Sequence, residues 1–295
     1  IVNLKVNYIS NNDNKEIFIQ DCNEYDELIS VIMTSYNSEK TIEYAIISIL
    51  NQTYKKIELI IVDDCSTDDT CNIISKYKKL DKRIKLIKLN KNGGCYFAKN
   101  IGLKNMNENT KFVAFQDSDD ISLISRIYKQ YIFMKRSKIY LSTCLYYDDN
   151  LLKMPMISKM FSINVFHSLG FFGPKRYGED EHFYNRFFCL FSKNHKWNNS
   201  IIYNSNNIGF FGSYKYYKNL HDILYIVIRN NNSLTKVYKN RKEFAQKMIS
   251  YYSHLNKQPI DKIKEKCFFS INYVNKSQNE NNQIKSNEII KSKYF

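Results

Sequence analysis

Three observations predict an α/β fold, a mostly parallel sheet with helices on both faces. Short β-branched runs alternate with segments of helical spacing over about 90 residues. Most of these runs are continuously apolar, as strands covered on both faces must be. The polar residues that follow the strands gather in three clusters, Thr34–Asn37, Asp63–Asp69 and Asp117–Asp120, where open parallel sheets bind their ligands.

Taken in order, Ile29-Ser30-Val31-Ile32-Met33 reads as a buried strand, and Thr34-Ser35-Tyr36-Asn37-Ser38 supplies turn chemistry. Ile42, Ala45, Ile46, Ile49 and Leu50 then form one apolar stripe of an amphipathic helix. Glu58–Val62 is a second strand, Asp63–Asp69 an acidic turn and Thr70–Leu80 a second helix. Ile84–Leu89 alternates as a third strand, followed by the turn Asn92-Gly93-Gly94 and a helix over Cys95–Leu103. Phe112–Phe115 is the fourth strand, and Asp117-Ser118-Asp119-Asp120 the turn at its end.

Composition sets the bounds. With 295 residues and 43% hydrophobic content, a sizeable core is available, and 3 Pro with 8 Gly exclude a fibrous or linker-rich chain. Seven cysteines, with no C-x-x-C pair, argue against a disulfide framework or a zinc site and for a reducing, cytoplasmic compartment. No apolar run approaches the length of a membrane span. The net charge of +15 implies an anionic partner, and residues 236–295 hold 13 Lys+Arg against 5 Asp+Glu. Residues 1–28 form a polar lead-in. Val237 to Leu255 reads as a helix before Pro259, and Ile260 to Val274 as its continuation. That C-terminal helical extension has two open partners, a peripheral membrane contact or a further domain.

The D-S-D-D turn has two readings. A D-x-D at the end of a buried strand can hold Mn²⁺ or Mg²⁺ through oxygen ligands, bridging to a substrate phosphate. Alternatively it is a solvated acidic turn whose last Asp caps a helix starting at Ile121. The T-S-Y-N-S turn has no glycine, which excludes a dinucleotide-binding G-x-G-x-x-G unit, and there is no P-loop. A receiver domain would not explain a second acidic cluster after the fourth strand. No single-strand or helix-turn-helix module is recognisable, so nucleic acid is not an expected partner.

In this order, Ile29–Asn37, Ser48-Ile49-Leu50-Asn51-Gln52-Thr53-Tyr54, Val62–Asp68, Asn92-Gly93-Gly94 with Ala98-Lys99-Asn100-Ile101-Gly102, and Asp117–Asp120 resemble the family 2 glycosyltransferases of GT-A fold. The likeness continues through Leu169-Gly170-Phe171-Phe172 and Gly178-Glu179-Asp180 to Ser233-Leu234-Thr235, and so covers residues 29–235 as one catalytic domain. It implies a Rossmann-like sheet and metal-dependent, inverting transfer from a nucleotide-sugar, UDP-linked by expectation, to a carbohydrate or glycosylated acceptor. By position it implies Asp119 with Asp117 at the metal, and Asp117 also at ribose or sugar. Thr34, Tyr36 and Asp64 would line the base pocket; Asp63 would either join them or cap the next helix. Asp180 would be the base that deprotonates the acceptor, with Glu179 alongside as a like charge that raises its pKa.

Three departures accompany the resemblance. Lys99 stands where the family often has Arg, keeping the charge but losing the bidentate fork. No His precedes Ser233-Leu234-Thr235, and Arg229 is the cation left there to neutralise a diphosphate. The only Trp, Trp197, falls beyond the Glu179-Asp180 pair, as acceptor stacking or as core. A second reading therefore stands beside the enzyme: a GT-A protein that binds nucleotide-sugar with little transfer, acting as a partner or scaffold.

Overall fold

A computed structural model of the chain describes residues 26–148, 151–153, 158–175, 178–191, 201–204, 207–210 and 217–226, with Pro259, Asp261 and Lys262. Its first half is the predicted alternation: β1 (Leu28–Ser35), α1 (Ile42–Leu50), β2 (Ile57–Asp63), α2 (Thr70–Leu80), β3 (Ile84–Lys88), α3 (Cys95–Lys104) and β4 (Thr110–Asp117). Then come β5 (Ile121–Ser122), α4 (Arg126–Ser137), β6 (Leu141–Asp148), β7 (Leu151–Lys153), β8 (Met160–Ser162), α5 (Ile163–Leu169) and α6 (Glu179–Phe191). The last described strands are β9 (Ile201–Asn204), β10 (Asn207–Phe210) and β11 (Tyr217–Ile226).

The main sheet runs β3-β2-β1-β4-β8-β6-β11-β5, with β7 on β6, while β9 and β10 form a separate hairpin. β1 pairs in parallel with β2 and β4, and β2 with β3. Beyond β4 the sheet is mixed, because β8 runs antiparallel to both β4 and β6. Three residues are too few to carry a readable period, so this strand was not legible beforehand. The helix-cap reading of the acidic turn is corrected: Ile121 opens a short strand that pairs with Ile226, and the next helix begins at Arg126. Trp197, Arg229 and all but three residues of the C-terminal extension lie outside the described residues, as do residues 1–25 of the lead-in. Among the described residues, no helix is long and apolar enough to cross a membrane.

Strand pleating sorts the core into two layers. Ile29, Val31 and Met33 of β1 join Phe112 and Ala114 of β4 against Ile42, Ala45, Ile46 and Ile49 of α1 and Ile127, Tyr131 and Met134 of α4. Ile32, Val113 and Phe115 point the other way, into a largely aromatic layer with Phe161, Phe166, Phe183 and Phe187. α3 lies close on that second face: a β-carbon on Gly102 would sit 2.6 Å from Ile32 Cγ2, so the helix meets the strand only because residue 102 has no side chain.

A buried polar network fixes the end of β4. Arg126 is fully buried and donates to the Phe115 carbonyl (2.8 Å), Gln116 Oε1 (3.0 Å), Ser122 Oγ (2.8 Å) and Gln130 Oε1 (3.1 Å). Gln116 in turn donates from Nε2 to the carbonyls of Asp117 (3.1 Å) and Asp120 (2.8 Å), spanning the D-S-D-D turn. Replacing Arg126 with Met keeps the stem but removes the donor these acceptors share, leaving Gln116 Oε1 the Ser122 hydroxyl (2.6 Å). The expected loss is about 3 kcal/mol of unfolding free energy, read as a lower denaturant midpoint at unchanged slope. A change under about 0.5 kcal/mol would remove this network as a main support.

Candidate active site

The parallel strands finish level, so their last residues form a row. Thr34 sits beside Asp117 on one side and Val62 on the other, Ser35 beside Asp63, and Asp63 beside Lys88. Two loops rise from this row and are knitted together. Asn37 has φ 47°, a left-handed conformation that Asn tolerates better than most residues. Its amide N donates to Ser66 Oγ (2.9 Å) and its Oδ1 accepts from the Thr67 N–H (2.9 Å). Between them Tyr36 is left 50% exposed, a free aromatic surface on the rim.

Asp63 and Asp64 are both buried, and both carboxylates hold loops in place. Asp63 accepts from Ser35 Oγ (3.1 Å), the Ser66 N–H (2.9 Å) and Ser66 Oγ (2.6 Å). It does not cap α2, whose cap position is held by Asp69. Asp64 accepts from the Gly93 N–H (2.7 Å) and the Gly94 N–H (2.8 Å), and its own N–H donates to Ser35 O (2.8 Å). One carboxylate therefore ties the ends of β1 and β2 to the start of α3, where negative charge is favoured by the helix dipole. Gly94, with φ 91°, makes that sharp entry possible.

α3 carries the cation. Cys95 in its first turn lies 3.5 Å from Thr34 Oγ1, and Lys99, one turn on, places Nζ 3.7 Å from Asp117 Oδ1. The same ammonium stands over the rings of Tyr96 (5.5 Å) and Phe115 (5.6 Å). Burial alone would lower the pKa of Lys99, but the Cys95 sulfur, Asp117 and Asp180 outweigh it and the net direction is up. Lys99 is a fixed positive charge. Asp119, two residues past Asp117, is pushed up to about 6, first by burial and then by the charge of Asp117. Across the turn, Ser118 Oγ lies 2.8 Å from Ser38 Oγ, joining the first and fourth strand ends.

Asp180, in the first turn of α6, reaches the same cluster. Its Oδ1 accepts from the Tyr96 hydroxyl at 2.8 Å. Burial, then the charge of Asp180, raise the Tyr96 hydroxyl well above its ordinary range, so it stays a donor. Glu179 faces elsewhere. Its fully buried carboxylate accepts from the Gly173 N–H (2.8 Å) and lies 3.1 Å from His182 Nδ1. Burial raises its pKa, but His182, Lys175 and Arg186 outweigh that and hold it ionised. It anchors the start of α6 through Gly173 and His182.

Thr34, Lys99, Asp117, Asp119 and Asp180 are thus brought to one edge of the sheet, with Tyr36 on the rim and Asp63 and Asp64 beneath it. Sequence reasoning missed Tyr96, because an aromatic residue in the first turn of a helix reads as core. It also missed Arg126 and Gln116, whose polar letters suggest surface. Asp117 and Asp119 suit a hard divalent ion: burial and the charge of Asp117 disfavour an ionised Asp119, and a dication held by the two carboxylates would relieve both. Among the described residues no three His, Cys, Asp or Glu side chains are grouped so as to hold a metal ion by themselves. An open cleft of 610 Å³ lies at the other end of β4, around Thr110, Phe112 and His167, and none of the candidate residues lines it.

The chain is 45% identical over 123 residues to the UDP-Glc:alpha-D-GlcNAc-diphosphoundecaprenol beta-1,3-glucosyltransferase WfaP of Escherichia coli, covering 42% of this chain and 47% of that protein. The chain spans about half the length of the curated relatives it matches. Among solved structures, S. aureus TarS 1-349 in complex with UDP-GlcNAc superposes with a TM-score of 0.61 at 19% identity, covering 88% of this chain and 77% of that one. The mannosyltransferase PcManGT from Pyrobaculum calidifontis, in complex with GDP-Man and Mn²⁺, gives 0.57 at 14% identity, covering 82% and 68%. These likenesses establish a GT-A fold. Residues 30–198 match the model of glycosyl transferase family 2, more than half of the chain, and the protein belongs to that family.

Proposed function

We propose that this chain is a metal-dependent, inverting glycosyltransferase that moves a sugar from a UDP-sugar to a glycan or other hydroxyl acceptor. The observation that carries this reading is the grouping around Lys99: Asp117 against its ammonium on one side, and Asp180, held by Tyr96, on the other. The relatives add support, since WfaP is named for a UDP-Glc donor and a diphosphoundecaprenol-linked acceptor, and TarS binds UDP-GlcNAc. PcManGT holds Mn²⁺ with its nucleotide-sugar.

In this reading the nucleobase stacks on Tyr36 and lies near Thr34 and Asp64, while Asp63 supports the turn from below. Asp119 and Asp117 would hold Mn²⁺ or Mg²⁺. When bound, the ion neutralises negative charge on the departing diphosphate as a Lewis acid. Lys99 adds a permanent positive charge at the same place. Asp180 accepts the proton of the acceptor hydroxyl as its oxygen attacks the anomeric carbon from the face opposite the diphosphate, which inverts the centre. The Tyr96 hydroxyl donates to Oδ1 and fixes the orientation of the carboxylate toward the acceptor. Glu179 acts through α6 and is a positioning residue. Arg229, beyond the described residues, remains a proposed second cation for the diphosphate.

Two experiments test these roles. Asp119→Ala is expected to abolish Mn²⁺-dependent UDP-sugar binding in calorimetry, whereas Asp180→Asn should bind the donor normally and lose about 10²–10⁴-fold in transfer. Transfer at an undiminished rate by Asp180→Asn would remove it as the base. If the unaltered protein binds donors but transfers to no acceptor in a broad mixture, the binding-protein reading replaces the enzyme.

Tyr96→Phe takes a donor away from ionised Asp180, so a higher pH is needed to ionise it. The acid limb of kcat/KM should therefore move up by about 1 pH unit, with donor KM unchanged. An unmoved limb would reduce Tyr96 to packing.

A further inference from the structure

The geometry points to the β3 edge of the sheet, with the end of α2, as a docking surface for an anionic lipid membrane. Residues 76–91 contain seven lysines and Arg83 against one acid, Asp81, so this stretch carries +7 of the chain's +15. All seven lysines are exposed, and Asp81 is already paired with Arg83 at 2.7 Å. Residues 236–295 account for the remaining charge, which makes the rest of the chain neutral overall. Excess positive charge in the described part of the molecule is therefore a local feature.

The fold gathers this stretch into one continuous edge. β3 is the terminal strand of the sheet among the described residues. Lys85 and Lys88 flank it on opposite sides: Lys85 Nζ donates to Asn105 O beside α3 (2.8 Å), and Lys88 lies by Cys71 of α2. Lys78 and Lys79 close the last turn of α2, and Lys82 follows in the turn into β3. Two ordinary explanations cover only parts of this. Lysines on an edge strand discourage strand-to-strand aggregation, which accounts for Lys85 and Lys88. Cations favour a helix C-terminus, which accounts for Lys78 and Lys79. Neither needs Lys82, nor the residue at the centre of the group. Leu80 is 73% exposed, the most exposed large apolar side chain among the described residues.

Leu80 also decides between partners. Nucleic-acid surfaces combine arginine with aromatic faces on which bases stack. Here the one arginine is tied to Asp81, and the one aromatic residue, Tyr77, donates its hydroxyl to Glu43 at 2.6 Å. An apolar side chain ringed by long, flexible lysines instead suits the boundary between lipid headgroups and acyl chains.

The test is co-sedimentation of the full chain with vesicles of phosphatidylcholine containing roughly 30% phosphatidylglycerol, against pure phosphatidylcholine. Binding is expected to the anionic vesicles alone and to weaken steeply with salt. Lys78→Gln, Lys79→Gln and Lys82→Gln together should weaken it on the order of 100-fold, at about fivefold per lysine. Leu80→Ser, which leaves the charge intact, should weaken it by about tenfold. Both variants replace exposed side chains, and unchanged circular dichroism and melting confirm that they fold. Equal binding to neutral vesicles, or full binding by the triple variant, would overturn the proposal. So would vesicles that fail to bind while a single-stranded RNA binds through the same lysines. None of these outcomes depends on sugar transfer, so failure here and failure of the transferase reading are separable.

Discussion

A guanidinium buried at the end of β4 holds the site's geometry in place. Arg126 sits with no exposure, where desolvating its charge costs several kcal/mol. The fold offsets that cost with hydrogen bonds to one backbone carbonyl and three side-chain oxygens. Those bonds orient Gln116, and Gln116 spans the turn from Asp117 to Asp120. A second buried amide continues the scaffold: Gln52 donates to the carbonyls of Ser48 and Leu123 (both 2.9 Å) and accepts from the Ile127 N–H (2.9 Å). Two carboxamides and a guanidinium therefore fix a loop that apolar packing alone would leave free to shift.

The carboxylates divide by what they accept from. Asp63, Asp64 and Glu179 are buried and committed largely to N–H and O–H groups of their own chain. Asp117 and Asp119 stand at the strand end under mutual repulsion, and Asp180 receives a tyrosine hydroxyl. The first group shapes loops; the second gathers around Lys99 and Tyr96 of one helix. In the proposed mechanism that separation matters, because the acids assigned to metal and acceptor are not the ones that hold the loops.

Much of this could be read from the residues, and the limits have physical causes. The runs Ile29–Met33 and Glu58–Val62 locate β1 and β2 because strands covered on both faces have no polar positions to blur the pattern. The order of the clusters gave the level strand ends. The helix expected after Asp120 failed because Ile121 and Ser122 pair with Ile226 and Tyr225, about a hundred residues on, and no local signal encodes that partner. The direction of Glu179 was equally hidden. Two adjacent acids read as neighbours in charge, yet successive helical side chains diverge by about 100°, and one was turned to Gly173 and His182. Which acid meets Tyr96 and which meets Gly173 is a tertiary fact.

α3 shows how few contacts set the chemistry. Tyr96 and Lys99 are three residues apart, hence neighbours on one helical face, and they reach Asp180 and Asp117 respectively. The helix is held at its start by Asp64 on Gly93 and Gly94, in its middle by Asn100, whose side chain pairs with both backbone groups of Phe172, and near its end by Gly102 against Ile32. A larger residue at 102 would push the helix off β1, moving the ammonium and the phenol together. The proposed donor and acceptor halves of the reaction would then lose their alignment at once, although neither carboxylate had changed. Close packing of one glycine on one isoleucine is in that sense as much a part of the site as the acids.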